Sequence, residues 1–398
     1  MTVPLLLLVN QFIFMLGFYM VVPFLAVFMR EDLALQSAAI GLVLGMRTFA
    51  QQGLFLVGGA FADKLGPRKL ILLGCATRIV GFGILAFSFD FTTVLIGACL
   101  TGFAGALFSP AISSLAAKVG DDKEGRARFF AKLAVWGELG AVAGPFAGAL
   151  LLGIGFKAMA LGGAGVFAVA YLILHIRLPR EVQAPRRAED GPWWHVFRDR
   201  LFVLFTFAHS GFLLSYNQLY FALPVEITRS GGSETEMAPL FMLASLMIVT
   251  LQLPVTRIAQ RLPWGFSLSA GFLLMALAFG TVAAFASHAP MGGLLKLAPA
   301  TLMVILLIFG QMIVKPIAMD IVARMAGTRP TGVYYGALAS AGGLTVLLGN
   351  VLIGPLLDGA LKPGSAAPLP WLILAVVPAI CALAIIPIAQ AVTKRAGA

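Results

Sequence analysis

The sequence predicts an all-α membrane protein of twelve transmembrane helices in two pseudo-symmetric six-helix bundles. Three observations lead there. Of the 398 residues, 60% are hydrophobic and only 11% are charged, a balance that suits lipid rather than water as the solvent. The apolar residues fall into runs of about 20, the length that crosses a bilayer as a helix. One polar stretch, from Arg177 to Arg200, parts those runs into two sets of six.

In chain order the first six runs lie near residues 4–29, 36–61, 69–89, 92–117, 128–153 and 158–178. The second six lie near 201–226, 237–258, 265–287, 297–322, 332–357 and 369–391. The expected organisation is therefore residues 1–178 as one bundle, 179–200 as a cytoplasmic linker and 201–398 as the other bundle. The first run is too long for the core of a signal peptide and no small-residue cleavage site follows it, so it is read as a span. Within the linker, Pro192 to Phe197 suits either a short helix at the membrane surface, where Trp rings are favoured, or a structureless spacer. The two halves carry weak repeats: Tyr19-x-x-x-Pro23 recurs as Tyr220-x-x-x-Pro224, and Gly144-Pro145 as Gly354-Pro355. Parallel repeats of this kind are one way to build two halves that rock around a central site.

A formal net charge of +11 would suit nucleic acid if the cations shared a face with interleaved aromatics, and they do not. They gather in alternate loops instead. Lys64, Arg68 and Lys69 follow the second run, Lys118, Lys123 and Arg126 the fourth, Arg180, Arg186 and Arg187 the sixth, and Lys394 and Arg395 the twelfth. The intervening loops are poor in Lys and Arg, which predicts a multi-pass protein with both termini in the cytoplasm. Cys75, Cys99 and Cys381 each stand inside an apolar run with no paired spacing and no clustered His, so neither a disulfide nor a metal nor another cofactor is expected. No Ser/His/Asp set or metal-ligand spacing stands near a membrane face, which argues against an enzyme.

The most distinctive stretch is Gly59-Ala60-Phe61-Ala62-Asp63-Lys64-Leu65-Gly66-Pro67-Arg68-Lys69, between the second and third runs. Gly66 and Pro67 break the helix. An Asp at the C-terminal end of an apolar helix meets the negative end of its dipole and needs a cation or another helix's N-terminus as partner. The expected partner is the start of the eleventh span, near Thr328, Pro330 and Thr331. The stretch reads as a hinge or as an ordinary loop anchored by positive charge. In the fifth run, Gly140-x-x-x-Gly144-Pro145-x-x-Gly148 forms a small-residue ridge that admits a close neighbour, with a Pro that removes one backbone hydrogen bond. Such a ridge is either plain packing or a bendable seam.

These residues resemble the major facilitator superfamily of secondary transporters. The stretch from Gly59 to Lys69 is similar to the signature loop of that family. The glycine ridge resembles the antiporter motif of its drug-exporting branch, with Ala149 where a second Gly often stands. The run Gly41-Leu42-Val43-Leu44-Gly45-Met46-Arg47, followed by Gln51-Gln52-Gly53, agrees with that branch, as do Arg78 and the pair Phe129-Phe130. Two positions depart from it: Ala98 replaces an Arg of the fourth helix and Asn10 replaces an Asp of the first. The resemblance implies a monomeric secondary transporter of the bacterial inner membrane that exports amphipathic small molecules by proton antiport, with no nucleic-acid partner. Export of an anionic metabolite such as a carboxylate siderophore, and proton-coupled import, are the alternatives.

Charges inside spans are costly and face a cavity or a partner. Arg47 and Glu138 lie at similar depth, within reach of pairing across the first half, and Glu138 is read as the proton-coupling acid because it is the only acid well inside a span. Arg78 is read as a structural cation near the inner leaflet. Lys315 precedes Pro316, which is expected to kink the tenth helix. Asp320 and Arg324, four residues apart, suit a local helix pair. The expected substrate cavity holds Asn10, Gln11, Tyr19, Arg47, Tyr216, Asn217, Gln218, Tyr220 and Lys315. The expected gating residues are Gly59, Asp63, Lys64, Gly66, Arg68, Lys69, Gly140, Gly144, Pro145 and Gly148. His209 is either a titrating group or simply hydrogen-bonded.

Overall fold

Long apolar runs in a chain without water to satisfy its backbone must fold as helices, since each helix satisfies its own N–H and C=O groups. The computed structural model describes residues 3–55, 66–116, 119, 123–179, 193–327, 329 and 331–397, and among them every regular element is helical. Ten helices among the described residues are long and apolar enough to cross a membrane. Two of the expected runs fall outside that set. The second extends past Phe55 into residues outside the described ones. The seventh is split at Ser210 into α8 and α9, Arg200–His209 and Gly211–Arg229.

The chain forms two compact units. The first comprises residues 1–35, 46–188 and 237–245. It holds α1 (Val3–Val21), α2 (Leu25–Glu31), α4 (Pro67–Ala86), α5 (Phe91–Ala116), α6 (Lys123–Leu152) and α7 (Phe156–Arg177). Here α1 packs against α6 and α7, and α4 against α5 and α7. Pro23 sits in a short 3-10 turn, Val22–Phe24, that separates α1 from α2, as expected where a proline removes an intrahelical donor. The helix α3 (Ser37–Thr48) runs directly into a π-helical turn, Phe49–Gly53, which packs on α5.

The second unit comprises residues 36–45, 189–236 and 246–398. It holds the start of α3, then α8, α9, most of α10 (Met237–Gln260), α11 (Trp264–Ala286), α12 (Ala298–Ala326), α13 (Thr331–Gly359) and α14 (Leu369–Gly397). Its core is built on α11, which packs against both α12 and α14, with α9 against α13. Gly271 and Gly310 let α11 and α12 approach: a Cβ on Gly310 would lie 2.7 Å from the Gly271 carbonyl oxygen. Small residues at crossings are how membrane helices gain dispersion contact without a hydrophobic drive between them.

Pro316 lies inside α12, where it cannot donate to the carbonyl of Met312. Two side chains of α10 take over that acceptor. Gln252 Nε2 donates to the Met312 oxygen at 3.0 Å and Thr256 Oγ1 donates to it at 3.3 Å. The stretch Trp193–Arg198 folds as a short 3-10 helix with Val196 buried.

Candidate functional site

In the first unit the glycine ridge of α6 lies on the backbone of α1. A Cβ on Gly140 would collide with the Phe12 carbonyl oxygen, and one on Gly148 with that of Met20. At Gly144 it would come within 2.6 Å of Tyr19 Cβ and 2.9 Å of the Leu16 carbonyl oxygen. The three glycines recur at four-residue spacing and so share one helix face, which explains how α1 and α6 make backbone contact. Pro145 is buried beside them. Gly137 extends the face, 3.1 Å from Gln11 Nε2 when given a Cβ. Glu138, half-buried, lies on α6 between these glycines.

The expected hinge is described only from Gly66 onward, and Gly59, Asp63 and Lys64 lie outside the described residues, as do Thr328 and Pro330. Gly66 adopts φ +80° at the N-terminus of α4, a left-handed conformation that favours glycine, and Pro67 follows at the first helical position, where its missing N–H costs nothing. Arg68 turns away to cap α7: its Nε donates to the Leu178 oxygen and its Nη2 to the His175 oxygen, both at 2.9 Å. A cation there offsets the negative end of that helix. Lys69 is exposed.

Arg47 is buried in the last turn of α3, just before the π turn. Its Nη1 donates to Gln51 Oε1 and its Nη2 to Thr48 Oγ1, each at 3.2 Å, and its guanidinium lies 5.4 Å from the Phe18 ring centroid. Insertions of this kind re-aim side chains and are frequent at functional sites. Asn10 is buried on α1, while Gln11 and Tyr19 are half-buried. Arg78 lies on α4. It sits eleven residues after the start of α4, about 16 Å along the axis, and is fully buried. Its neighbours are rings, with the guanidinium 4.1 Å from the centroid of Phe14, 5.1 Å from Phe167 and 5.4 Å from Phe18.

In the second unit Asn217, Gln218 and Tyr220 are buried and Tyr216 is half-buried. Sequence reasoning missed the residue that gathers the amides. Asn350 of α13, itself fully buried, accepts from Gln218 Nε2 at 3.1 Å and directs its own Nδ2 toward Asn217 Oδ1 at 3.4 Å. Its signal was available, since an amide inside an apolar run needs a partner as much as those on α9 do. Lys315 is exposed on α12, and Asp320 pairs with Arg324 at 2.7 Å on the same helix. His209 ends α8 among the rings of Phe205, Phe212 and Phe272.

Glu138 is not alone as an acid deep in the protein. Glu226 of α9 is 0% exposed, held by Arg229 through two contacts of 2.7 Å and by the Ser230 hydroxyl at 3.1 Å. Arg229 in turn donates to the carbonyl oxygens of Phe285 and His288. The pair was hidden because Glu226 closes the seventh apolar run and Arg229 lies just past it, where a charge gives no sign of a buried partner. Among the described residues no group of His, Cys, Asp and Glu is arranged to hold a metal.

Helical bundles with glycine seams, broken helices and buried polar clusters are the architecture of a membrane transporter. The Major Facilitator Superfamily profile matches residues 7–350, and the chain belongs to that family; it is a transport protein and not an enzyme. It is 35% identical over 364 residues to the uncharacterized MFS-type transporter Rv0849 of Mycobacterium tuberculosis H37Rv, covering 89% of this chain and 85% of that protein. It is 29% identical over 377 residues to the multidrug resistance protein MdtH of Aeromonas hydrophila, covering 92% of this chain and 90% of that one. Among solved structures, the nucleoside transporter NupG superposes with a TM-score of 0.82 at 14% identity, over 97% of this chain and all of that one. A POT family transporter in complex with a thioalcohol-conjugated peptide gives 0.83 at 14% identity, over 98% and 96% of the two chains. At such identities these two structures attest the fold alone.

Proposed function

We propose that this protein exports amphipathic small molecules from the bacterial cytoplasm in exchange for protons, by alternating access. In this reading twelve spans form two six-helix bundles, residues 1–178 and 201–398, joined by a cytoplasmic linker over 179–200, in the inner membrane with both termini inside. The carrying observation is the seam of Gly140, Gly144 and Gly148 laid on the backbone of α1. A seam of bare backbone lets two helices slide or bend without displacing side chains, and its sequence resembles the antiporter motif of drug exporters. The likeness to MdtH supports the same substrate class.

Glu138 carries the coupled proton in this scheme. It stands on the seam helix two residues before Gly140, where movement of α6 against α1 changes what surrounds the carboxyl. The test is dye uptake into everted membrane vesicles under an imposed pH gradient. Gradient-driven uptake of a fluorescent cation is expected in the wild type and lost in Glu138→Gln, with downhill exchange retained. Gradient-driven uptake that survives in Glu138→Gln removes the carrier role from that residue.

A second reading, export of an anionic metabolite, is favoured by the buried cations Arg47 and Arg78. The same vesicles offered an anionic chelator separate the two. On the second reading Lys315→Ala abolishes uptake of the chelator; on the first it changes only the preference among cationic dyes.

A further inference from the structure

We infer that Arg78 and Arg47 form an anion-binding subsite inside the first unit, which takes the carboxylate of an aromatic monoanion. The inference rests on the reading of this protein as a carrier of small organic molecules, and names one chemical class that it accepts.

The guanidinium of Arg78 is the starting point. It is completely buried, and none of its three nitrogens has a hydrogen-bond partner among the described residues. A guanidinium carries five N–H donors in its plane. The rings of Phe14, Phe18 and Phe167 satisfy its charge across their faces, but a ring face offers little to the N–H groups at the edge. Among the described residues no acid pairs with it, and a cation at this depth without an anion is costly. Buried polar groups left without partners are rare enough to require an explanation.

The surroundings supply one. Arg47 and Arg78 lie against the same ring, each with its guanidinium carbon 5.4 Å from the Phe18 centroid. The positive charge of Arg47 nearby adds to the cost of the unpartnered Arg78 guanidinium, and an anion on Arg78 offsets it. Gln51 accepts from Arg47 Nη1 at 3.2 Å. Gly105 of α5 lies against both groups: a Cβ there would come within 3.3 Å of Arg78 Nη2 and 3.0 Å of Gln51 Cγ. A side chain at that position would crowd the Nη2 edge. On α1, Asn10 lies one turn before Phe14, and both its amide atoms lack partners among the described residues. A planar acid with an aromatic body matches this set: its carboxylate takes parallel N–H donors from Arg78 in the bidentate manner, and its ring lies among phenylalanines.

The experiment uses full-length protein in lipid nanodiscs and compares benzoate with benzamide, its neutral counterpart of nearly equal shape. Benzoate is expected to raise Tm saturably in the wild type, with benzamide giving no saturable rise. Arg78→Gln is expected to lose the benzoate response, and Arg78→Lys to weaken it by at least about tenfold, since a point charge cannot replace the fork. Gly105→Ala places a methyl against Arg78 Nη2 without touching the charge, and is expected to weaken benzoate by a similar factor. Equal responses to benzoate and benzamide, or a full benzoate response in a folded Arg78→Gln or Gly105→Ala protein, overturn the subsite. Dye export in parallel vesicles keeps the two readings apart. Export without benzoate binding removes this inference alone, and benzoate binding without export removes only the export reading.

Discussion

Asp358, at the end of α13, receives the backbone N–H of Ser37 on both carboxylate oxygens at 3.1 Å, joining residues 321 apart in the chain. Ser37 opens α3, so the carboxylate stands at the positive end of that helix, where an acid is stabilising. Beneath it the two helices meet through glycine. A Cβ on Gly354 would lie 2.7 Å from the Ser37 oxygen and one on Gly45 2.9 Å from Leu347 Cα, while one on Gly41 would collide with the Asn350 oxygen.

Removing that cap is expected to loosen the start of α3. Asp358→Ala costs about 1–2 kcal/mol by the usual measure of a lost N-terminal cap, and Asp358→Asn, which keeps an acceptor, costs less. The check is maleimide labelling of a Ser37→Cys protein, whose backbone N–H is unchanged. Labelling is expected to accelerate about fivefold or more with Asp358→Ala, and an unchanged rate shows that the glycine contacts alone hold the helix start.

The seam between α1 and α6 makes a graded prediction. Gly144→Ala brings one methyl against Tyr19 Cβ and shifts the helices slightly, while Gly144→Leu overpacks the contact at a cost of about 1–3 kcal/mol. Transport is expected to fall modestly in the first and to stop in the second, measured in vesicles with protein amount normalised. Equal tolerance of both assigns Gly144 to passive packing.

Gln252 and Thr256 are predicted to matter only because of Pro316. Gln252→Leu removes the shorter of two donors to the Met312 carbonyl, with an expected loss of about 1–2 kcal/mol from a buried acceptor left poorly satisfied. In a Pro316→Ala background the helix supplies its own donor, and the same substitution is expected to cost almost nothing. A double-mutant cycle on Tm reads the difference directly, and additive effects disprove the link.

One ion pair outside the spans gives a pH-dependent contribution of known sign. Lys296 Nζ lies 2.6 Å from Glu236 Oε1, and that bond, with a backbone N–H from Ser233 assisting, lowers the Glu236 carboxyl below its ordinary value of 4.5. A group with a depressed folded value stabilises above its unfolded value and loses that contribution as pH falls through the folded one. Glu236→Gln is therefore expected to lower stability by up to about 1 kcal/mol at neutral pH, the scale of a partly exposed pair. The difference from wild type is expected to shrink below about pH 4. A difference that grows toward acid reverses the assignment.

Much of this was legible in one dimension. Runs of apolar residues mark helices because lipid leaves the backbone no other partner, and the spacing of Gly140, Gly144 and Gly148 places them on one face because the helical period is a local property. Gly66 and Pro67 show where α4 begins for the same reason, since φ limits belong to single residues. What the chain alone left open is which face meets which neighbour. Arg78 reads as a cation in an apolar run, and only the packing of α1, α4, α5 and α7 surrounds it with Phe14, Phe18 and Phe167 beside the bare edge of Gly105. Asn350 inside the eleventh run and Asp358 just past its end are isolated polar residues in the sequence until folding carries them to Gln218 and to the start of α3. The same holds for Arg68, whose role as the cap of α7 depends on a helix end more than a hundred residues away. Propensity and period act over a few residues, whereas the partner of a buried charge or amide is set by contacts between distant segments, and those exist only once the helices have packed.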